Sequence, residues 1–349
     1  MGGDFESVAG VRRRSLARLD GHGQLDASFD AQLIGGPVDF LSLRPDDRIV
    51  IGGLFIPLNG VSRERMARLN ADGTLDTTFV PVAASEWLNT RGILAVQRNG
   101  KVIWWWGTFN HFGIKRLNAD GSLDSTYSEY KFGPLDGGGT APTLLLKGMA
   151  QHDDKLVAGD FSLLRLHAHG SAEESFLWPW KPSGGRVYAF AQQPDGRVLV
   201  GGNFTSFQPS IALSNIPAPR LARLNLDGTP DATFQIGTGA NGAVRAILAQ
   251  SDGRIMIGGE FTEFNGTPRV GLARLEPDGS LDLSFDPGSG ANGSVNALAL
   301  DAEGRSIVGG WFTSLDGIPR RRVGRLLGDA PGAPVIVSQP ASQRAPEGH

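Results

Sequence analysis

A pattern of about fifty residues recurs along the whole chain, and it constrains the fold more than any other feature. Most copies contain an Arg-Leu pair, a short turn with Asp-Gly, and then an Asp and a Phe at fixed spacing. Repeats of this length are typical of solenoids, propellers and other arrays. We number seven repeat units by the arginines of these pairs, which are Arg18, Arg68, Arg116, Arg165, Arg223, Arg274 and Arg325.

Each unit divides into short runs of β-forming residues. In the sixth unit the runs are residues 244–249, 254–257, 272–275 and 281–285, and Asp-Gly or Asn-Gly turns separate them. Such runs predict four antiparallel strands joined by hairpins. The first run is apolar, as expected of a strand covered on both faces, and the fourth is the most polar. This gradient predicts the four-stranded blade of an all-β propeller, with a β-solenoid as the alternative.

A second anchor, Gly-Gly-X-Phe or a degraded form of it, precedes each Arg-Leu pair. We expect the glycines to lie where two blades approach closely, and the Phe to fill the space between blades. The chain starts inside a unit, at Gly2-Gly3-Asp4-Phe5. This start favours seven blades of which the first is incomplete. Six blades, closed by the first residues, remain the alternative.

The regular pattern ends near residue 328, so we predict a propeller domain over 1–328. Residues 329–349 are rich in Gly, Ala and Pro and contain no anchor of the repeat. They are predicted to be a linker and the first-strand stub of a second domain. A start and an end inside recognisable units suggest a piece of a longer protein, covalently linked to further domains.

Composition excludes several functions. The net charge of -3 and the pI near 6.1 argue against a nucleic-acid partner, which normally meets a basic surface. The chain has no cysteine, which excludes disulfides, thiolate metal sites and cysteine nucleophiles. No stretch approaches the ~20 apolar residues that cross a bilayer, so no membrane insertion is expected. No secretory signal is visible.

The recurrent acids and the histidines suggest no strong metal site. Asp72 and Asp76, like their counterparts in other units, lie four residues apart around a glycine. Asp-Gly is ordinary turn chemistry, and a calcium loop would need more converging oxygens. His167 and His169 occupy the same turn in the fourth unit, where a drifted turn is favoured over a metal site. No nucleophile or zinc-protease motif is present, so no catalytic residue, metal or cofactor is predicted.

Aromatic residues mark the clearest departures from the repeat. Trp104-Trp105-Trp106 replaces the usual Val-Gly run with one extra residue, which predicts a bulge and a mainly core role. Four other aromatic residues are predicted to share the rim where blade connections gather: Trp87, Tyr130, Trp178 and Trp180. Exposed rings there would offer flat faces to a sugar or a protein partner. The alternative is that they plug gaps at the ends of the core.

Residues 195–205, Asp-Gly-Arg-Val-Leu-Val-Gly-Gly-Asn-Phe-Thr, and residues 221–234 resemble the delta-60 repeat family. The resemblance covers residues 1–328 and implies a propeller found in large secreted or cell-surface bacterial proteins, without established activity. Residues 333–343 with Glu347-Gly348 are similar to the first strand of a bacterial immunoglobulin-like domain. The localisation expected from this resemblance is extracellular or at the cell surface.

The sequence therefore predicts a non-enzymatic binding, adhesion or display module whose ligand is a glycan or a protein. Two alternatives remain open at this point. The first is a carbohydrate-active hydrolase or lyase that uses the central funnel, for which Glu86, Glu129 and Asp136 are candidate acids outside the repeat. The second is a structural spacer between other domains.

Overall fold

The computed structural model describes residues 1–58, 61–62, 65–81, 90–107, 112–132, 146–174, 176, 180–209, 215–301 and 303–326. Within these residues it contains 29 β-strands and no helix. The linker and the immunoglobulin-like stub expected at 329–349 lie outside them. Short runs of Val, Ile, Leu and Ala form the strands, because such side chains pack well on a pleated surface.

The first three units are built as follows. The first contains the hairpin of β1 (Ser7–Val8) and β2 (Val11–Arg12), with isolated bridges Gly2↔Leu16 and Leu19↔Leu25. The second contains β3 (Leu33–Leu43), β4 (Ile49–Leu58), β5 (Val61–Ser62) and β6 (Met66–Leu69). Of these, β3, β5 and β6 all pair with β4. The third contains β7 (Thr90–Val96), β8 (Val102–Gly107), β9 (Phe112–Leu117) and β10 (Tyr130–Phe132) in the order β10-β9-β8-β7.

The fourth unit is the sheet of β11 (Lys147–Ala150), β12 (Leu156–Gly159) and β13 (Leu163–Leu166). Before and within the fifth lie β14 (Trp180–Ser183), β15 (Val187–Gln192), β16 (Val198–Gly202), β17 (Ser206–Pro209), β18 (Ile216–Pro217) and β19 (Leu221–Leu224). They form the sheets β15-β16-β19 and β14-β17-β18.

The sixth unit contains β20 (Val244–Ala249), β21 (Ile255–Gly259), β22 (Glu263–Phe264), β23 (Thr267–Pro268) and β24 (Leu272–Leu275). The seventh contains β25 (Val295–Leu300), β26 (Ser306–Gly310), β27 (Ser314–Leu315), β28 (Ile318–Pro319) and β29 (Val323–Arg325). In both units three strands form the main sheet and the remaining two form a small hairpin. All the pairings are antiparallel.

Three strands recur in the main sheets. We call β3, β7, β11, β15, β20 and β25 first strands, β4, β8, β12, β16, β21 and β26 second strands, and β6, β9, β13, β19, β24 and β29 third strands. The expected fourth strand is a single bridge in six units of the described chain, such as Leu69↔Leu75 or Leu275↔Leu281, and in the third unit β10 adds paired residues beyond the bridge Leu117↔Leu123. A tight turn shortens this segment, since the Phe79 N–H donates to the Asp76 carbonyl.

Six first strands and seven Arg-Leu segments are present in the described residues. This count is the one expected for seven blades of which the first is incomplete. The number of blades stays a prediction.

The expected close approach of units at the first glycine of each pair is confirmed. A Cβ on Gly201 would meet Val244 Cγ1 at 2.8 Å, and one on Gly258 would meet Val295 Cγ1 at 2.4 Å. In each case the contacted residue begins the first strand of the next unit. The second glycine has a different role, because a Cβ on Gly259 would lie 2.0 Å from the Ala243 carbonyl oxygen of its own unit.

The phenylalanine after the glycines fills the space between units, as expected. Phe204 and Phe261 are fully buried. Phe261 belongs to a cluster that joins Leu199 and Leu221 of the fifth unit to Val244 and Ile257 of the sixth. Apolar packing between consecutive sheets therefore forms the core.

The antiparallel order gives the molecule two ends. First and third strands begin at one end and second strands finish there; we call this end the connection face. The other end, the turn face, carries the tight turns between first and second strands and those that follow the third strands. Gly73, Gly196 and Gly253 adopt positive φ in these turns, a conformation that glycine tolerates without steric cost.

Candidate functional site

The arginine of each Arg-Leu pair makes a set of contacts that recurs around the molecule. Arg68 Nε donates to Asp76 Oδ2 at 2.7 Å, Nη2 donates to Thr78 Oγ1 at 3.1 Å, and the guanidinium carbon lies 4.9 Å from the centre of the Phe79 ring. Nη1 donates to the carbonyl of Ala119, in the turn of the next unit. We call this arrangement the arginine clamp, because one side chain joins two units.

The clamp is repeated with the same spacing in other units. Arginines donate to turn carbonyls of the following unit in the pairs Arg18–Ala71, Arg116–Ala168, Arg165–Leu226 and Arg223–Pro277. Arg325 of the seventh unit donates to the carbonyl of Gly21 in the first. The recurrent Arg, Asp and Phe of the repeat thus serve the architecture.

The two recurrent acids have different roles. Asp72 Oδ1 accepts from the N–H and hydroxyl of Thr74, the turn chemistry expected, and these hydrogen bonds lower the pKa of Asp72. Asp76 Oδ1 accepts from the N–H and hydroxyl of Thr78 in the same way, and its Oδ2 pairs with Arg68 inside the clamp. Burial opposes ionisation of Asp76, but hydrogen bonds from Thr78 and Arg68 outweigh burial and lower its pKa. The turn interpretation is therefore right for both acids, and the second acid also joins the clamp.

The histidines of the fourth unit form a stack at the turn face. The rings of His167 and His169 are 5.4 Å apart and nearly parallel, and His169 Nε2 lies 2.8 Å from Ser171 Oγ. His152 donates its backbone N–H to Gln192 Oε1. Among the described residues no group of three or more His, Asp or Glu side chains is placed to hold a metal ion.

The expected rim aromatics are only partly within the described residues. Trp87 and Trp178 lie outside them, as do the candidate acids Glu86 and Asp136. Trp180 begins β14, where its backbone pairs with Pro209. Tyr130 begins β10; it is half-buried, its ring meets Phe132 edge-on at 5.1 Å, and desolvation raises its pKa. The common rim of these four residues stays a prediction.

The tryptophan run has the core position expected of it. Trp104 and Trp105 are buried and Trp106 is half-buried under Lys115. The expected bulge, however, does not fall on β8. The register shifts lie on the neighbouring β7, around Arg91 and Leu94. Gly92 faces Trp105, so the first strand adjusts to the large ring and the second strand keeps its pairing with β9.

Bulges at the start of first strands bring together residues that sequence reasoning missed. Register shifts around Asp39, Tyr188, Arg245 and Asn296 place one extra residue at the same point of four units. A bulge re-aims its side chain, and here it does so at the connection face. The signal in the sequence is the residue after the first-strand Val, which differs in each of these four units.

Arginine–aromatic pairs surround these bulges. Arg245 lies 4.8 Å from the centre of the Tyr188 ring of the preceding unit and donates to Glu260 Oε1 at 2.7 Å. Arg186 lies 4.3 Å from the ring of Phe161, which is 45% exposed. The residue after the glycine pair is Glu260 in one unit and Trp311, 59% exposed, in the next.

Charged groups of different units also influence Asp39 at this face. Burial raises the pKa of Asp39, against the opposing effect of the positive charges of Lys147 and Arg65. Asp39 belongs to the second unit and Lys147 to the fourth. The Asp39 side chain is exposed to solvent and adds a carboxylate to the connection face.

The connection-face site therefore combines flat aromatic rings with arginine, lysine and carboxylate groups. A shallow depression of about 410 Å³ at the turn face is lined by Asp195, Arg197, Asn225, Leu226 and Asp227, all turn residues or their neighbours. The rings and charges of the connection face offer more varied contacts than this depression.

The described part of the chain contains no helix that is long and apolar enough to cross a bilayer.

Five segments of the chain match the sequence profile of a family described as "Domain of unknown function (DUF5122) beta-propeller", at residues 1–29, 44–79, 104–127, 193–234 and 250–285. A solved protein from Lactobacillus plantarum is similar over 97% of this chain and 94% of its own, with 14% identity and a TM-score of 0.51. The chain is a β-propeller. The repeat units are therefore units of a propeller, and the all-β propeller prediction is confirmed.

Two further solved proteins are less similar to the propeller. One is a protein of unknown function from Bacteroides caccae, with 14% identity, a TM-score of 0.39, and coverage of 71% of this chain and 91% of that one. The other is a PQQ-bound aldose sugar dehydrogenase from Streptomyces coelicolor, with 13% identity, a TM-score of 0.41, and coverage of 85% and 94%. The propeller has no significant match among curated proteins.

Proposed function

We propose that this propeller is a non-enzymatic binding and display module of a large secreted or cell-surface bacterial protein, of the delta-60 repeat type. Its ligand is a glycan or a protein that docks on the connection face. The proposal includes covalent linkage to further domains, with an immunoglobulin-like domain beginning at 333–343.

The observation that carries this proposal is the separation of constant and variable residues. The residues that recur at the positions of Arg68, Asp76 and Phe79 form the clamp. The recurrent glycines lie where strands approach closely. Residues that differ between units, such as Tyr188, Arg245 and Trp311, lie at the connection face. A rigid scaffold with variable side chains at one end is the arrangement expected of a binding protein.

The chemistry of these side chains suits a saccharide or a polar protein surface. The rings of Phe161 and Trp311 are partly open to solvent and can stack on a sugar ring. Arg245 and Glu260 are held together at 2.7 Å and offer donors and acceptors to hydroxyl groups. The proposed rim residues Trp87, Tyr130, Trp178 and Trp180 would extend the same platform.

Binding to glycan and protein arrays tests the proposal. We expect purified protein to bind members of one class, and Trp311→Ala, Phe161→Ala, Trp87→Ala and Trp178→Ala each to weaken that binding. Leu226→Ala is the matched control, because this exposed side chain lies at the turn face. Equal loss with Leu226→Ala, or no effect of all four aromatic substitutions, would contradict the connection-face assignment. Shortened glycan products after incubation would contradict the non-enzymatic role.

A further inference from the structure

The loop between the second and third strands of the seventh unit is the most basic loop of its kind in the chain. It comprises residues 311–322, which we call the basic loop, and it contains Arg320, Arg321, Arg322 and one acid, Asp316. Asp316 Oδ1 accepts the backbone N–H of Ser289, so this carboxylate already holds the preceding connection in place. Because the basic loop joins β26 to β29, it lies at the connection face.

The three arginines of the basic loop form no ion pair with a carboxylate of the described residues. Arginines of the turn face differ in this respect, since Arg68 pairs with Asp76 and Arg305 pairs with Asp301. The guanidinium group of an arginine stays charged in proteins. The basic loop therefore carries positive charge that the described acids do not compensate.

Arg320 is buried without a counter-charge. It is 8% exposed, and its Nη1 donates to the carbonyl of Pro319 at 3.0 Å. Burial lowers the pKa of Arg320, because water is removed from the charged group. In the first unit Arg13 occupies the same position and lies 3.3 Å from Asp30. A buried cation without such a partner is unfavourable, and an anion bound nearby would relieve this cost.

Arg322 and Trp311 form an exposed pair on the basic loop. The guanidinium carbon of Arg322 lies 4.3 Å from the centre of the Trp311 ring, which is 59% exposed. Arg322 has a φ of 68°, and Gly271 has a φ of 73° at the corresponding position of the sixth unit. Because glycine adopts this conformation without steric cost, the fold does not require an arginine here. The Arg322 side chain is thus available for a function other than folding.

The sixth unit has the corresponding loop without these features, so they do not belong to the repeat as such. Glu260 stands at the position of Trp311. Val270 stands at the position of Arg321. A buried arginine is common to both loops, since Arg269 is 7% exposed and also forms no ion pair with a described carboxylate. The exposed arginines and the exposed Trp are specific to the seventh unit.

We propose that the basic loop binds an acidic saccharide, a sugar chain that carries carboxylate or sulfate groups. This inference rests on the proposed function, because it names the ligand class of the connection face. Guanidinium groups donate paired hydrogen bonds to such anions, and Arg321 and Arg322 are both exposed to do so. The open part of the Trp311 ring can stack on a sugar ring.

Other ligand classes match the basic loop less well. A neutral saccharide would leave Arg321 and Arg322 without anionic partners. An acidic peptide of Asp and Glu supplies carboxylates but no ring face for Trp311. A net charge of -3 disfavours a nucleic acid, which normally meets a protein with a basic surface overall.

The first unit extends the positive surface around the ring. Arg325 joins the seventh unit to the first through the Gly21 carbonyl. Arg14 occupies in the first unit the position of Arg321, and Arg12 beside it is exposed. Packed sheets lie about 10 Å apart, so a chain of several sugar residues would meet both loops. Longer acidic chains should therefore bind more tightly than short ones.

Isothermal titration calorimetry of the full chain with defined polymers tests the inference. Polygalacturonate carries carboxylates, dextran sulfate carries sulfates, and dextran is the neutral control. We expect at least one of the two acidic polymers to bind and dextran not to bind. The two acidic polymers distinguish a carboxylate from a sulfate as the preferred group.

Substitutions then locate the binding. Arg321→Gln combined with Arg322→Gln should weaken binding by about tenfold or more, because two charge-assisted hydrogen-bonding groups are lost. Trp311→Ala should weaken binding several-fold. The matched control is Arg197→Gln with Arg254→Gln, which removes the same charge from the turn face, where these side chains are 39% and 33% exposed.

Equal weakening in the turn-face control, binding of neither acidic polymer, or equally tight binding of polyglutamate would overturn the inference. A neutral glycan whose binding depends on Phe161 but not on Arg321 and Arg322 would also overturn it, although the connection-face function would then stand. Cleavage of polygalacturonate that binds through these arginines would contradict the non-enzymatic role and support the acidic ligand.

Discussion

Arg325 donates a hydrogen bond to the backbone carbonyl of Gly21, 304 residues away in the sequence. This contact joins the last described unit to the first with the bond that joins Arg68 to Ala119 and Arg116 to Ala168. The ends of the repeat array are thus held together by the same interaction as its middle. A ring rather than an open stack follows from this contact.

Loss of a clamp arginine should be costly. In Arg68→Ala, Asp76 would remain 3% exposed without its main partner, so we expect a loss of about 3–5 kcal/mol in the free energy of unfolding. Arg68→Lys should also be destabilising, because a single ammonium group cannot reproduce the contacts of the planar fork. Urea denaturation measures both effects.

The control for the clamp is Arg197→Ala. Arg197 is 39% exposed and lies 3.7 Å from Asp231, so its removal should cost less than about 1 kcal/mol. Similar losses in Arg68→Ala and Arg197→Ala would show that the clamp does not stabilise the fold.

Stability should fall in acid because of the clamp carboxylates. Burial opposes ionisation of Asp76 and Asp282, but hydrogen bonds from Thr78 and Ser284 and from their arginines outweigh burial and lower both pKa values. In the unfolded chain an Asp side chain has a pKa of about 3.9. The stabilisation is therefore complete above that value and lost as the pH falls through the lower, folded-state pKa.

Urea denaturation at pH 7, 5, 4 and 3 measures this dependence. The free energy of unfolding should change little between pH 7 and 5 on account of these groups and should drop below pH 4. Asp282→Asn should lower stability at pH 7 and reduce the drop. An unchanged drop in Asp282→Asn and in Asp76→Asn would mean that other groups cause it.

Gly258→Ala should destabilise the junction between the sixth and seventh units. The new Cβ would lie 2.4 Å from Val295 Cγ1, which forces one strand to move, so we expect a cost of about 1–3 kcal/mol. Gly3→Ala is the control, because its Cβ would meet only Phe5, at an ordinary 3.6 Å. Thermal unfolding should separate the two variants, and equal midpoints would contradict the close approach.

Trp105→Ala should open a cavity between the third and fourth units. Trp105 is buried in a cluster with Leu146 and Leu156 of the next unit, and removal of a buried Trp costs about 3–5 kcal/mol. Trp311→Ala removes an exposed ring and should change stability by less than about 1 kcal/mol. If both variants unfold at the same urea concentration, Trp105 does not support the core as described.

Much of this fold can be predicted from the sequence, because the determining interactions are local or repeated. Asp-Gly turns set the hairpins, and the glycines before Phe204 and Phe261 mark the close approach of units. The pairing of Arg68 with Asp76 could not be predicted, since eight residues separate them and only the bend after β6 brings them together. Asp76 is therefore a clamp residue as well as a turn residue.

The connection-face site was missed for a different physical reason. Tyr188 and Arg245 are 57 positions apart in the printed sequence, and their contact depends on how consecutive sheets pack. The bulges lie opposite the second glycine of each pair, where the first strand approaches closely. Reading the variable position beside the first-strand Val would have indicated these residues, whereas aromatic content alone pointed to Trp87 and Trp178.

The clamp binds its neighbour through a main-chain carbonyl, which alanine, leucine and proline at Ala119, Leu226 and Pro277 supply equally well. No side chain in the receiving turn has to match the arriving arginine. A unit that is duplicated, lost or exchanged during evolution would therefore find a partner at its new boundary without a compensating substitution. Arrays of this kind can change their number of units by simple recombination.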